Sequence, residues 1–429
     1  MAVPASTTKG YAVNTSPWWA APDEEDTPEL QWPRNIIVYD QMRRQEAQIV
    51  SVLRAITLPI RRTTWRIDPA GAREEVVEHV ARDLGLDVVG QPNRQVLRSR
   101  NRFSWAEHLR HALLMLPFGH SFFEQVYVIE DRKAHLQKLM WLPPRTIAKL
   151  DVAADGGLIA IEQHPGNGKT QRPRIKVGEL VAYVNDREGG NWLGQSTIRP
   201  TYKYWLLKDR ALRVQAQTLD RNGMGVPIYT ASEMPAGVRP EDIESRQQNE
   251  IDKGLEIAQG LRSGDNSGAS IPAKAKLDLK GVDGTLPDAD TPIRYFDEQI
   301  ARAVLAHFLN LGTETGSWAL GSTFADFFTL SLQTIGMQIA DVANQHVIED
   351  LVDKNYGENE PAPRLVFDEI GSRHPATAEA LGRLVQVGAL TGDDRLEAHL
   401  RNKYSLPAQD VSTSRIPPAT PAPTTSEDQ

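Results

Sequence analysis

The residues best placed to do chemistry in this chain lie in Gln163-His164-Pro165-Gly166-Asn167-Gly168-Lys169-Thr170. A glycine-rich loop ending in Lys-Thr has the look of a phosphate cradle, with Lys169 and Thr170 as the binding pair and Gln163 in place of the first glycine. Such a cradle works only if a helix follows at once, so that its N-terminal amides meet the phosphate. Here Gln171-Arg172-Pro173-Arg174 follows and then a strand, so the segment reads as a hairpin turn, with a nucleotide-binding enzyme as the alternative. His108 and His111, three apart, with His120 nearby, invite a metal reading, but no complete ligand set accompanies them and no metal site is assigned. The acidic pairs Asp297-Glu298 and Asp368-Glu369 read as solvated faces rather than hydrolytic carboxylates. Tyr202 to Arg213 interleaves aromatics with cations, as nucleic-acid surfaces do. The helical spacing of Tyr202, Trp205 and Leu212 favours packing over DNA contact there.

Long helices dominate the elements that must position these residues. Phe296, Ile300, Val304, Phe308 and Leu311 form one helical stripe, and Phe324, Phe328, Leu332, Ile335, Ile339, Val342, Val347 and Leu351 form another. The helix carrying the second run, expected over 323–356, would be roughly 50 Å long. Between them lies a small-residue hinge, Gly312-Thr313-Glu314-Thr315-Gly316-Ser317-Trp318-Ala319-Leu320-Gly321-Ser322, carrying one large aromatic. Helices are also expected at 35–58, ending at Pro59, at 72–84, and at 104–116 with Ser104 and Glu107 as a capping box. Short β-rich segments at 122–129, 136–142, 146–150, 157–163 and 179–184 predict a small antiparallel sheet. A helix over 196–221 tolerates Pro200 in its first turn. A strand at 226–231, a charged helix at 240–261 and a strand at 273–279 then make a compact β-α-β insertion. Two short helices at 376–387 and 393–403 close the pattern; Asp393, Asp394 and Glu397 argue against a DNA-reading helix-turn-helix. Residues 1–30 and 409–429, rich in Pro and Thr, read as disordered tails.

The 429 residues suffice for two to four structural units. Cysteine is absent, which removes disulfides, thiolate nucleophiles and Cys-ligated zinc. No signal-peptide core and no membrane-spanning run is visible, so a non-exported chain in the cytoplasm, without membrane contact, is expected. With 48 basic and 56 acidic residues the net charge is −8. That balance opposes wrapping of nucleic acid by a basic surface.

The order of these pieces resembles the tailed-bacteriophage portal proteins, Mu-like branch, over residues 36–407. Pro59 to Ile67 resembles the segment leading into a W-x-I strand. Phe118-Gly119-His120-Ser121-Phe122-Phe123-Glu124 resembles a G-x-x-x-x-E strand start. Gly194 to Lys208, then Asn222 to Pro227, resembles a long helix ending in G-x-P. Leu311-Gly312 with Gly321-Ser322-Thr323-Phe324-Ala325 resembles an L-G … G-S-x-A loop. The resemblance implies an α+β, portal-type fold with helical stem, small α/β clip, mixed α/β wing and short helical crown. It places the wing at 31–195, stem helices at 196–223 and 290–311, the clip at 224–289, a tunnel loop at 312–322, a long wing/crown helix at 323–356 and a crown at 357–408. It implies a non-enzymatic subunit without cofactors, in a ring of about twelve copies at one capsid vertex of the virion. The host cytoplasm is where such a ring would assemble. Double-stranded DNA would pass through the channel during packaging and ejection; the large terminase, a head-tail adaptor and the major capsid or scaffold protein would be partners. Around such a ring the chain's charge would sum to on the order of a hundred negatives, which keeps DNA from sticking. Thr313, Glu314, Thr315, Gly316, Ser317 and Trp318 would face DNA, with Trp318 either touching DNA or packing on the long helix. Lys203, Lys208, Lys274, Lys276 and Lys280 are candidate contacts to DNA or a partner. A minor capsid or scaffold protein without a closed ring is the remaining alternative.

Overall fold

The computed structural model describes residues 25–91, 103–166, 170–223, 226–233, 239–260, 270–280, 290–304 and 318–371, with 237, 288, 383 and 397 singly. The expected paired helices at 376–387 and 393–403 and the tail at 409–429 lie almost wholly outside these residues. The chain divides into two compact units, one of residues 1–36, 54–196 and 325–429, the other of 37–53 and 197–324. Residues 37–53, expected in the wing, therefore belong with the second unit. The N-terminal tail is shorter than expected, since residues 27–30 form a turn and Leu30 is buried.

The helix expected over 35–58 is two: α1 (Arg34–Gln45) and α2 (Ala47–Arg62). Glu46 separates them, and its carboxylate accepts the Gln48 amide at 3.2 Å, capping one of the free donors at the start of α2. Pro59 does not end α2. It lies in the last turn, where only one upstream bond is lost, and its carbonyl still accepts from Thr63 at 3.1 Å.

In the first unit, β1 (Trp65–Asp68) lies between a parallel β2 (Asp87–Val88) and an antiparallel β11 (Arg364–Phe367). Trp65 and Ile67 are buried, so the W-x-I spacing is a strand with one face on the core. Trp65 stacks near Phe367, ring centroids 4.7 Å apart. β11 lies within the residues 357–408 that the resemblance places in the crown, yet it pairs with β1. The acidic helix α3 (Glu74–Leu84) ends on Gly85 in the left-handed conformation. α4 (Trp105–Ala112) starts after Ser104, whose side chain makes no cap hydrogen bond, so the expected capping box does not form. A short turn, α5 (Met115–Phe118), follows.

The β-rich region forms two three-stranded sheets rather than one. β3 (His120–Glu130) pairs antiparallel with β4 (Lys133–Leu142) and β8 (Leu180–Val184); β6 (Leu158–Gln163) pairs antiparallel with β5 (Ile147–Val152) and β7 (Arg174–Lys176). Phe122, Leu142, Ile147, Leu158, Ile161, Ile175, Leu180 and Val184 make one apolar core from both sheets. The long helix is α9 (Trp318–Ala343), a π-helical turn (Asn344–Ile348) and α10 (Glu349–Tyr356). At the π turn the Asn344 side chain accepts from Leu365 N–H at 2.7 Å and donates to Leu365 O at 3.3 Å, docking β11. Phe328, Leu332, Ile339, Val347 and Leu351 of the expected stripe are buried.

In the second unit, Pro200 sits in a 3-10 turn (Arg199–Thr201) that leads into α6 (Tyr202–Gly223). β9 (Val226–Thr230), α7 (Pro240–Gly260) and β10 (Lys276–Lys280) follow, then α8 (Asp290–Arg302). β9 and β10 pair antiparallel, Leu277 opposite Tyr229. α7 meets that face so closely that a Cβ on Gly254 would overlap the Tyr229 ring.

Candidate functional site

α6 and α8 are bound together by a buried cation. Lys208 is 7% exposed, and its ammonium donates to Glu46 Oε1 at 2.6 Å and Asp297 Oδ1 at 2.5 Å. Burial works against the charged amine, but hydrogen bonds and charge from Asp297 and Glu46 outweigh it and raise its pKa. Lys208 is thus an internal tie and not a contact to DNA or a partner. Asp297, one of the acidic residues considered for hydrolysis, is spent in the same tie. Glu298 pairs with Arg302 at 3.4 Å and Asp368 with Arg66 at 2.9 Å.

The other four candidate lysines are at the surface. Lys203 lies over its neighbour Tyr204, 4.7 Å from the ring centroid. Lys276 and Lys280 share one face of β10, and strand alternation puts Leu277 and Leu279 on the other, where Tyr229 meets α7. Lys274, before the strand, is 3.9 Å from Glu233. Of the hinge, Thr313, Glu314, Thr315, Gly316 and Ser317 lie outside the described residues; Trp318 opens α9 rather than standing in a loop, and residues 318–322 are helical.

α6 also carries apolar side chains that are exposed. Leu207 and Val214, seven apart, are exposed, as are Leu212 and Leu219, also seven apart. At about 100° per residue the two pairs lie roughly 140° apart around the helix, and Leu206, also exposed, lies about 100° from Leu207 on the remaining side.

The histidines singled out by spacing each have contacts of their own. His108 is buried, 2.8 Å from Tyr183 OH, and burial pushes its pKa down to about 3. His120 is held 2.9 Å from Leu193 O and is pushed down by burial to about 4. His111 stacks on Trp141. Two glycines of the resemblance meet nearby. Gly119 has φ +86° and Gly194 φ +63°, and a Cβ on either would overlap the other's backbone or its neighbour's. Their side-chain-free approach sets β3 against the start of the segment running to α6. Residues 163–170 connect the antiparallel strands β6 and β7 with no helix after Thr170, so the nucleotide-cradle reading lacks the amides it needs; Lys169 lies outside the described residues. Among the described residues, donors suited to a metal converge instead at His79, Asp83 and His135, which sequence reasoning missed. The spacing of His79 and Asp83, four apart on α3, was a visible signal; His135 reaches them only through packing.

Fold and site together define a protein of mixed helix and strand, and no catalytic constellation is recognisable among the described residues. Its fold matches that of a chain in the neck of an empty GTA particle computed with C6 symmetry: TM-score 0.54, 14% identity, 88% of this chain and 95% of that one covered. A chain in the virion of a native gene transfer agent particle gives 0.52 at 14% identity, with the same coverage of 88% and 95%. A chain in the neck of the native particle computed with C12 symmetry gives 0.52 at 13% identity, again covering 88% and 95%. The family model for the portal protein of Mu bacteriophage matches residues 36–406. The chain belongs to that family of phage portal proteins, which are structural rather than enzymatic.

Proposed function

We propose that this portal protein assembles into a closed ring, of about twelve subunits, at one vertex of a phage capsid. The ring is the channel for DNA packaging, retention and ejection. The observation that carries the reading is the pair of exposed stripes on α6. A ring built by head-to-tail contact needs two different surfaces on each subunit, one for each neighbour. Leu207 with Val214 on one side, and Leu212 with Leu219 on the other, meet that requirement. The similar particle necks with six-fold and twelve-fold symmetry support the same arrangement.

In this reading α6 and α8 are the stem and residues 224–289 the clip, which docks the large terminase during packaging and the head-tail adaptor afterwards. The first unit is the wing and crown facing the capsid and its scaffold. Lys276 and Lys280, on the open face of the clip sheet, with Lys274, serve DNA or partner contact. Residues 313–317, with Trp318 at the start of α9, face the DNA. Acidic charge in the lumen prevents tight binding of the passing duplex.

Electron-microscope class averages of the purified chain, with mass from light scattering, test the ring. A closed ring with a central opening wide enough for duplex DNA is expected; an open or unsymmetric bundle would point to a scaffold component instead. Deleting residues 313–317 should leave ring assembly unchanged and impair DNA packaging or retention, and loss of the ring in that deletion would make the segment an assembly element.

A further inference from the structure

His79, Asp83 and His135, in the first unit, are used by nothing in the portal role. His79 and Asp83 share one face of α3, and β4 brings His135 opposite them. All three are buried, and one donor atom from each lies within 4.8 Å of the others. Asp83 Oδ1 is 2.8 Å from His135 Nδ1, and Oδ2 accepts the Leu136 amide at 2.8 Å. His79 Nε2 points at Oδ2 from 3.4 Å yet makes no hydrogen bond, although it is sealed from solvent. The imidazoles are tilted by 36° to one another, centroids 4.6 Å apart.

Around this triad the chain supplies the outer contacts that metal-binding imidazoles and carboxylates need. Tyr356 OH is 3.1 Å from His79 Nδ1 and accepts from Lys133 Nζ at 3.0 Å. When His79 carries its proton on Nδ1, the remaining phenol lone pair accepts it. The Nε2 lone pair then faces the carboxylate, an arrangement that a cation between them relieves. Lys133 does not supply that charge, because its ammonium is held by Glu75 outside the triad. In tetrahedral zinc sites the metal–ligand bonds of about 2.1 Å put ligand atoms roughly 3.4 Å apart. The 3.4 Å between His79 Nε2 and Asp83 Oδ2 has that value, whereas His135 Nδ1 lies 2.8 Å from the other carboxylate oxygen, Oδ1, so the rings must shift to bring both nitrogens and one oxygen around a common ion.

We infer that His79, Asp83 and His135 are the ligands of a divalent transition-metal ion of the zinc class. Two imidazoles and one carboxylate suit such an ion better than calcium or magnesium, which prefer oxygen alone. With all three ligands buried, the ion ties α3 to β4 and, through Tyr356, to the end of α10, and a water or hydroxide completes its four-coordination.

The full-length chain, stripped with chelator and dialysed against zinc chloride, tests this. Expected are one zinc per chain by elemental analysis and a melting temperature raised by several degrees. His79→Asn/His135→Asn should retain no zinc and lose the thermal shift; His164→Ala, an exposed control, should keep both. Zinc-edge X-ray absorption on the unsubstituted protein stands even if the double variant misfolds, and it should show two imidazole ligands and oxygen. No bound zinc, equal zinc in the double variant, or an absorption pattern without imidazoles would reduce the triad to a hydrogen-bonded cluster and overturn the inference.

Discussion

Lys208 shows what a single buried charge does in this protein. Its ammonium satisfies Glu46 and Asp297 together, so Lys208→Met leaves two carboxylates without a counter-charge. A loss of about 3–5 kcal/mol is expected, read as a fall in the denaturant midpoint. A partly compensated triple variant, with Glu46→Gln and Asp297→Asn added, should recover much of it. The raised pKa fixes the pH dependence: stabilisation is full below the unfolded lysine's value near 10.5 and is lost as pH rises through the higher folded value. At acid pH a different pair governs. His108 and His120, held neutral to about 3 and about 4 by burial, take up protons in the unfolded chain from about pH 6.5 downward. The unfolded state then binds more protons, so stability falls as pH drops from 6.5 to 4, by about 1.4 kcal/mol per pH unit for each histidine. Urea titrations across that interval measure it, and a flat profile would refute it. Spacing alone drew attention to His108 and His120, but as ligands; that they are sealed, uncharged core groups depends on what packs around them. Nothing in the sequence near Lys208 marked it for burial, because its partners are 162 and 89 residues away.

Among the elements, the clip hairpin and its helix illustrate how closely backbone and ring can meet. Gly254 lies mid-helix, and a methyl group there would drive into Tyr229. Gly254→Ala should cost about 1–3 kcal/mol despite alanine's better helix propensity, as overpacking outweighs the backbone gain. The expected readout is earlier proteolysis of α7 with the first unit left intact. Periodicity located α3, α7 and the strands β3 to β6 and β8 within a few residues, because each carries its pattern locally. It failed at α2, where Pro59 falls in a final turn that tolerates it. It also failed at β11, a four-residue strand made by pairing with β1 some 300 residues earlier in the chain. The π turn at 344–348 is likewise a product of docking, since Asn344 serves the backbone of β11.

For the whole molecule, the stripes on α6 make assembly the property to test. Leu207→Glu/Val214→Glu removes one side of the proposed subunit contact and Leu212→Glu/Leu219→Glu the other. Each should yield folded monomer by light scattering with unchanged circular dichroism, since these side chains are exposed in the single chain. Mixing the two variants should not restore closed rings, because each retains only one contact surface and a chain of alternating contacts ends after two subunits. Rings from either variant would show that the contact lies elsewhere.

Several determinants of this protein are written along the chain itself: the long apolar stripes, the absence of cysteine, the acidic balance and the ordered motifs of a portal protein. They are legible because each depends on neighbours within a few turns or on composition. Tertiary structure alone decided which charges are spent internally, as at Lys208, and which remain available, as at Lys276 and Lys280. It also decided that Gly119 must lack a side chain because Gly194 approaches it, and that His135 reaches the His79–Asp83 face of α3. These outcomes turn on distances between residues far apart in sequence, and such distances come into being only when packing brings the elements together.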